Sequence, residues 1–415
     1  MKRVLGKVSW YTAAMLANSS IGLLVVPVTI YIAGADEWGA IAVGQSIGSI
    51  ATILVALGWG YNGPSLVARA SDSDRRVIAI NSTIARSIAA PLVVLAAALV
   101  AWNLAPTLPV AAVIACVTVS LGGLGMAWYF VGEGQPKRMF LLDGVPRWSG
   151  NLLGIAALFV WHDIYVFLWI QLAGGVLSSI IATFAVISAG PPVPADSWGV
   201  KSAFRGVRSQ LYAGITVVTA TTFASLPTLV IAALAPASVP IYALGERLIR
   251  FALMSITPFL QWAQGWVPKS SPERPRSWRI KRATYAAYIL AAPIGLAVAF
   301  AGPAAGHILS AGIVELPLSL TVAFGVAVAA STISRVVGMA CLLALGDDRS
   351  VAFSAVLGAV VGAPLLFILV ASAGSTGAAI SLAISEVIVV VYQVIALKRA
   401  LARPLGAEAT SVARI

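Results

Sequence analysis

Residues 84–102 read IARSIAAPLVVLAAALVAW, a continuous apolar run that contains a single charged residue, Arg86. A helix needs about 20 mostly apolar residues to cross the hydrocarbon core of a bilayer. A strand of a membrane barrel would instead alternate apolar and polar residues over about ten positions. The run therefore predicts a transmembrane helix, and it decides the fold because the same pattern recurs along the chain.

The composition also favours a membrane environment. Of 415 residues, 60% are hydrophobic and 10% are Asp, Glu, Lys or Arg, whereas a soluble domain carries about 25% charged residues. So few charges cannot cover a water-facing surface, and we expect lipid to be the solvent for most of the chain. A soluble enzyme, a nucleic-acid-binding domain and a disordered chain are therefore disfavoured.

Apolar runs of spanning length occur twelve times. They lie at 9–33, 39–59, 84–102, 109–131, 146–161, 165–188, 210–233, 240–264, 284–301, 317–341, 351–373 and 377–397. The first run is longer than the roughly 7–15-residue core of a signal peptide, so we interpret it as a retained helix. The sequence thus predicts an all-α integral membrane protein with twelve transmembrane helices.

The placement of basic residues predicts the orientation. With both termini in the cytoplasm, the predicted inside segments hold 23 of the 27 lysines and arginines, and the predicted outside loops hold none. Lysine and arginine are enriched in the cytoplasmic loops of membrane proteins. We interpret the net charge of +12 as a topology signal in a multi-pass protein of the cytoplasmic (inner) membrane. Attraction to membrane lipid is a second effect, and no nucleic-acid partner is expected.

The chain divides into two halves of six predicted helices each. The dividing loop, residues 189–208, is rich in proline and then basic. We expect pseudo-symmetric six-helix lobes at 1–200 and 201–400 and a cytoplasmic tail at 401–415. Because each half has an even number of helices, the repeats share one orientation, related by an axis along the membrane normal.

Two landmarks support this repeat. Pro27 and Pro227 occupy the same place in the opening helix of each half, and residues 42–47 (AVGQSI) match residues 243–248 (ALGERL) at nearly the same offset. Chance similarity between two proline-containing helices is the alternative. Because proline bends a helix and frees a carbonyl, both prolines are candidate hinges.

Charged residues inside the apolar runs are candidate functional residues, because a charge at the bilayer centre costs about 2.5–3.5 kcal/mol on insertion scales. Arg147, at the start of the run 146–161, is counted with the inside segment before it, and the others are Arg86, Glu246, Arg247, Arg250, Arg335 and Glu386. Arg86 lies near the cytoplasmic end of its predicted run, and we expect its side chain to snorkel to the interface. Glu246 and Arg250 are four residues apart, so they can pair on one helix face.

Pairing of Arg335 with Glu386, on the tenth and twelfth predicted helices, would leave Arg247 without an acidic partner. A substrate phosphate would supply the missing anion, because arginine stays charged and presents a planar fork to phosphate oxygens. Purely structural pairing of these charges is the alternative.

The candidate site combines these charges with polar side chains. The candidate substrate-binding residues are Asn18, Gln45, Thr219, Glu246, Arg247, Arg250 and Arg335. The polar ones suit sugar hydroxyls, although such side chains also bond backbone or pack between helices. Glu246 and Glu386 are the candidates for coupling to a proton or sodium gradient. We expect no other cofactor and no metal site, because the two histidines and two cysteines form no cluster.

Several stretches resemble those of a known membrane protein family. They are Leu57-Gly58-Trp59-Gly60 with Ala68-Arg69, Trp128-Tyr129-Phe130-Val131-Gly132-Glu133-Gly134, Tyr242-Ala243-Leu244-Gly245-Glu246-Arg247-Leu248, and Gly377-Ala378-Ala379 with Ser385-Glu386. With them the chain resembles the polysaccharide flippases of the multidrug/oligosaccharidyl-lipid/polysaccharide exporter superfamily, the O-antigen and capsule repeat-unit translocases. The likeness covers the whole chain in helix number, topology and repeat. It departs at Gln135-Pro136-Lys137, which replaces a more regular helical stretch.

This resemblance implies two six-helix lobes around a cationic cavity. A member of the family flips an undecaprenyl-diphosphate-linked oligosaccharide from the cytoplasmic to the outer leaflet by alternating access, for cell-surface polysaccharide such as lipopolysaccharide. The polyprenyl-diphosphate-linked glycan would be the ligand, and a glycan polymerase and glycosyltransferases would be the protein partners. The protein would then not be an enzyme.

Two other functions stay open. A multidrug or cation antiporter of the same superfamily needs acidic groups in its cavity, but four arginines and two glutamates lie within the apolar runs. A membrane glycan polymerase or ligase needs acid and base groups at an outside face. The predicted outside loops offer scattered groups such as Asp163 and His307, which disfavours the enzyme.

Overall fold

The structure, a computed structural model, describes residues 25–105, 107–189, 192–268 and 275–402. Its regular elements over these ranges are all helical, which confirms the all-α fold. By contacts, the chain forms two compact units. Unit one is Met1–Pro240 with Leu309–Ile313, and unit two is Ile241–Ile308 with Val314–Ile415.

Unit one contains ten of the described α-helices. They are α1 (25–32), α2 (Ala35–Ala56), α3 (Trp59–Arg69), α4 (Asp72–Leu104), α5 (Pro109–Ser120), α6 (Ala127–Glu133), α7 (Pro136–Met139), α8 (Val145–Trp161), α9 (Ile164–Ser188) and α10 (Val200–Leu234). A π-helical turn, Phe140–Gly144, joins α7 to α8. The departure at Gln135-Pro136-Lys137 is thus the start of a helical stretch that precedes the predicted run at 146–161.

The other six described α-helices follow in the chain and belong mainly to unit two. They are α11 (Val239–Ser255), α12 (Thr257–Trp266), α13 (Arg276–Leu296), α14 (Gly302–Leu309), α15 (Leu318–Val336) and α16 (Asp348–Ala402). π-helical turns join α13 to α14 at Ala297–Ala301 and extend α15 at Val337–Leu342.

Seven helical segments of the described chain are long and apolar enough to cross a membrane, judged by length and composition. They are Ala35–Ala56, Asp72–Leu104, Pro109–Glu133, Ile164–Ser188, Arg276–Leu309, Leu318–Leu345 and Asp348–Ala402. The protein is therefore a multi-pass membrane protein. The count of twelve spans and the cytoplasmic termini stay predictions.

The helix α16 reverses direction in its middle. Gly374 has φ 52° and ψ −129°, a conformation that suits glycine. After it, the Ser381 hydroxyl donates to the carbonyl of Gly362, and the Ser385 hydroxyl donates to that of Gly358, both at 2.9 Å. In the second bond the donor is four residues later in the chain and its acceptor four residues earlier, so the two segments run antiparallel. The helix α16 therefore contains the two predicted runs 351–373 and 377–397.

Glycines of the two predicted repeat segments lie at helix contacts. A Cβ on Gly44 of α2 would lie 2.1 Å from the carbonyl oxygen of Ala112 on α5. A Cβ on Gly245 of α11 would lie 2.4 Å from the ring of Phe324 on α15. Each glycine therefore permits a close approach within its own unit, between the predicted second and fourth helices and between the predicted eighth and tenth.

Candidate functional site

The charged residues of α11 form a compact group. The Nη2 of Arg250 donates to Oε1 of Glu246 at 2.6 Å, and its Nε donates to the same oxygen at 3.2 Å. This confirms the ion pair predicted from the four-residue spacing. The Arg250 side chain is still 58% exposed, and that of Glu246 is 21% exposed.

Arg247 belongs to the same group. It is half-buried and within electrostatic range of both Glu246 and Arg250. The expectation that Arg247 lacks an acidic partner is therefore wrong, because Glu246 precedes it directly in the chain and lies within electrostatic range of its guanidinium. Glu246 is the one acid among these three residues, so the group keeps a net positive charge.

Arg335 and Glu386 lie on helices that pack together, α15 and α16. Glu386 lies near the hydroxyl of Ser331, one turn before Arg335, and is within electrostatic range of the arginine. No ion pair within 4.0 Å joins Arg335 to Glu386, both of which the structure describes. The predicted pairing is therefore an electrostatic proximity rather than a direct contact, and Arg335 remains exposed.

Arg86 does not snorkel, contrary to the expectation from sequence. It is 1% exposed on α4, and its Nη1 donates to the carbonyls of Gly123 at 3.1 Å and Gly125 at 2.9 Å. Its Nε donates to the carbonyl of Ser82 at 3.2 Å. Gly123 and Gly125 follow the end of another helix, α5. The α-helical part of α5 ends at Ser120, and the chain continues as a 3-10 turn, Leu121–Leu124, which we call the helix break. Arg86 satisfies the carbonyls that this break frees.

Asp143 and Arg147 lie beside the same break, and sequence reasoning had assigned them to a loop. The Nη2 of Arg147 donates to Oδ1 of Asp143 at 3.3 Å, and the Ser178 hydroxyl on α9 donates to the carbonyl of Asp143 at 2.7 Å. A Cβ on Gly125 would lie 3.3 Å from Oδ1 of Asp143. The signal that could have revealed this cluster is the run Leu121-Gly122-Gly123-Leu124-Gly125, because closely spaced glycines weaken a helix.

Two stretches singled out by the family resemblance meet in unit one. The rings of Trp59 on α3 and Trp128 on α6 have centroids 5.6 Å apart. The guanidinium of Arg86 lies 5.6 Å from the Trp128 ring, at cation–π distance. These motif residues therefore pack around the helix break.

The remaining candidates are more weakly constrained. Asn18 lies outside the described residues, and Thr219 lies on α10 where its side chain is not described. Gln45 is half-buried on α2. Pro27 lies in α1 and Pro227 inside α10, where each is half-buried. Their roles in binding and bending stay predictions.

The fold and the family are established by comparison with known proteins. Residues 4–268 match the family described as "Polysaccharide biosynthesis protein", so the chain belongs to that family. The resemblance inferred from the motifs is thereby confirmed. No curated protein sequence matches the chain significantly.

Solved structures of transporters share the fold. The chain is similar to "Lipid II flippase MurJ, inward closed conformation", with TM-score 0.71 and 12% identity over 94% of this chain and 88% of that one. It is also similar to "MATE in complex with MaL6", with TM-score 0.53 and 13% identity over 95% and 96%. For "MATE multidrug transporter DinF-BH in complex with R6G" the TM-score is 0.51, with 14% identity over 93% and 92%. Family and fold together point to a membrane transporter rather than an enzyme.

Proposed function

We propose that the protein is a flippase that moves an undecaprenyl-diphosphate-linked oligosaccharide from the cytoplasmic to the outer leaflet, for cell-surface polysaccharide assembly. Membership of the polysaccharide biosynthesis family is the observation that carries this proposal. The fold shared with a lipid II flippase supports it. A glycan polymerase and glycosyltransferases are the proposed partners, and the inner membrane is the proposed location.

The group on α11 is the proposed anchor for the diphosphate. Two arginines and one glutamate give the group a net charge of one positive unit, which attracts an anionic ligand. Arginine suits this role because its guanidinium stays protonated in a low dielectric and bonds two phosphate oxygens at once. Arg335 and Gln45 are proposed as further contacts, and Asn18 and Thr219 as partners for sugar hydroxyls.

The proposed cycle is alternating access. Two lobes, residues 1–200 and 201–400, with twelve helices and cytoplasmic termini, would rock around a site between them. Pro27 and Pro227 are the proposed hinges. Glu246 and Glu386 are the proposed sites of coupling to a proton or sodium gradient.

The test is the pool of lipid-linked oligosaccharide in a deletion strain, separated into cytoplasmic-facing and external fractions. We expect complete repeat units to accumulate on the cytoplasmic side and the wild-type gene to clear them. Arg247→Ala should lower export at least about tenfold, because a lost charge-assisted hydrogen bond is worth about 1.5–3 kcal/mol. Arg349→Ala is the matched control, since Arg349 is exposed in the first turn of α16.

The outcome separates the candidate functions. Full export by the Arg247→Ala variant at equal protein level would remove Arg247 from the mechanism. An unchanged pool with greater sensitivity to cationic dyes would favour the antiporter. Accumulation of flipped but unpolymerised units would favour the polymerase.

A further inference from the structure

A corner of unit two, where α12 ends and α13 begins, gathers aromatic rings and arginines. We name it the α12–α13 corner, and its members are Trp262, Trp266, Trp278, Arg279 and Arg282. The core beneath it contains Leu260 and Ala263 of α12 and Ile280 of α13. Because these residues are buried in the core, they hold the backbone that carries the rings and arginines.

The tryptophans of the corner form a continuous cluster of ring contacts, one stacked and one edge-on. Trp262 and Trp266 have ring centroids 4.9 Å apart at an interplanar angle of 17°, and Trp278 meets Trp266 at 6.1 Å and 61°. The two outer rings remain accessible, since Trp262 is 52% exposed and Trp278 is 37% exposed. Tryptophan with one face packed and one edge open is typical of the membrane–water interface.

The arginines lie over these rings. The Cζ of Arg279 is 5.2 Å from the Trp266 ring, and its Nη1 donates to the Trp266 carbonyl at 2.9 Å. The Cζ of Arg282 is 5.4 Å from the Trp278 ring. Arg276, one turn earlier, donates from Nη1 to the Ala344 carbonyl at 3.3 Å. Three guanidinium groups therefore lie at the start of α13.

Within the described residues, no acid balances the positive charge of the corner. Among the residues that the structure describes, no carboxylate lies within 4.0 Å of Arg276, Arg279 or Arg282. The Nε atoms of Arg276 and Arg279 are buried and have no hydrogen-bond acceptor within that part of the chain. Residues 275–282, where the described chain resumes, contain four lysines and arginines and no acid. The corner thus offers donors and charge for an anion with several oxygen acceptors.

We propose that the α12–α13 corner binds the phosphate headgroup of an anionic phospholipid. Arg279 and Arg282 bond the phosphate, while Trp262 and Trp278 lie at headgroup level against the first carbons of the acyl chains. The exposed rings favour a lipid over a soluble phosphate, because a soluble anion would leave this apolar area in water. The proposal does not depend on the transported substrate.

The experiment measures lipid binding to the purified full-length protein in a neutral detergent. Short-chain phosphatidylglycerol is titrated against short-chain phosphatidylcholine, and bound lipids are counted by native mass spectrometry. We expect tighter binding of phosphatidylglycerol to the wild type. Arg282→Gln should weaken that binding about tenfold, the effect of one lost charge-assisted hydrogen bond.

Two further variants separate a built site from general attraction. Lys281→Gln removes the same charge from the neighbouring exposed position and should change binding less than about twofold, since within the described residues Lys281 makes no hydrogen bond, ion pair or ring contact with the corner. Arg282→Lys keeps the charge but loses the planar fork and the stacking, and it should weaken binding about fivefold. Melting curves confirm that each variant is folded.

Several results would overturn the proposal. Equal losses for Lys281→Gln and Arg282→Gln, with wild-type binding by Arg282→Lys, would reduce the effect to net charge. Equal binding of both lipids would exclude an anion site. Displacement of phosphatidylglycerol by inorganic phosphate at equal concentration would identify the corner as a site for a soluble anion instead.

Discussion

Arg86 and Arg250 both lie in apolar helices, but they differ in burial and in hydrogen-bond partners. Arg86 is 1% exposed and is bonded to carbonyls of a neighbouring helix break. Arg250 is 58% exposed and is bonded to Glu246 on its own helix. A guanidinium surrounded by backbone acceptors is fixed, whereas one held by a single carboxylate in an open position can exchange partners. The first is suited to holding the fold and the second to meeting a ligand.

The largest expected effect comes from removing the fixed arginine. Arg86→Met would leave the carbonyls of Ser82, Gly123 and Gly125 without that donor in a buried place. Each buried carbonyl left without a donor costs about 1–3 kcal/mol, so the loss of several together is large. We expect a strong loss of folded protein in the membrane and a lower melting temperature in detergent.

Two variants sharpen this expectation. Arg86→Lys retains the charge but cannot bond several carbonyls at once, so it should give an intermediate melting temperature. Arg349→Met at an exposed position should melt like the wild type. If Arg86→Met melts within a degree of the wild type, the helix break is held by other contacts.

The glycines of the break allow a second test, with an expected effect of about 1–3 kcal/mol. A Cβ on Gly123 would lie 2.4 Å from the carbonyl oxygen of Thr52 on α2, so Gly123→Ala must push the break away from α2. A Cβ on Gly122 would meet its nearest atom, on Arg147, at 3.5 Å. Gly122→Ala is therefore the matched control one residue away.

Melting of both variants in detergent measures the difference. We expect Gly123→Ala to lower the melting temperature clearly and Gly122→Ala to leave it unchanged or slightly raised, since alanine favours helix over glycine. Equal stability of the two variants would mean that the break does not need its close approach to α2.

Sequence reasoning succeeded where local spacing sets the contact. The pair of Glu246 and Arg250 follows from a four-residue spacing on one helix, and the hairpin around Gly374 follows from two long apolar runs with a short gap. It failed for Arg86 because the apolar run begins at residue 84, whereas α4 begins at Asp72. Arg86 is therefore about 21 Å along its helix, and its acceptors come from a break in another helix.

Residue spacing also does not determine which side chains of different helices come into contact. Arg335 and Glu386 lie on helices that pack together, but no ion pair within 4.0 Å joins these two described residues. Asp143 and Arg147 were missed because a charged stretch before a short apolar run is typical of a loop. Hydropathy does not report that such a stretch continues a helix through a π-helical turn.

The smallest expected effect on stability, and a large one on transport, comes from the exposed arginine. Arg250→Gln should change the free energy of unfolding by less than about 1 kcal/mol, because exposed ion pairs contribute little. Export should still fall at least about tenfold if Arg250 bonds the diphosphate. The measurements are a melting curve and the cytoplasmic pool of lipid-linked oligosaccharide.

Glu246→Gln is the reciprocal variant. It removes the carboxylate and raises the positive charge of the α11 group, so it should tighten binding of a diphosphate lipid analogue. If instead Arg250→Gln lowers the melting temperature as much as Arg86→Met does, the contrast between the two arginines fails, and the α11 group is structural.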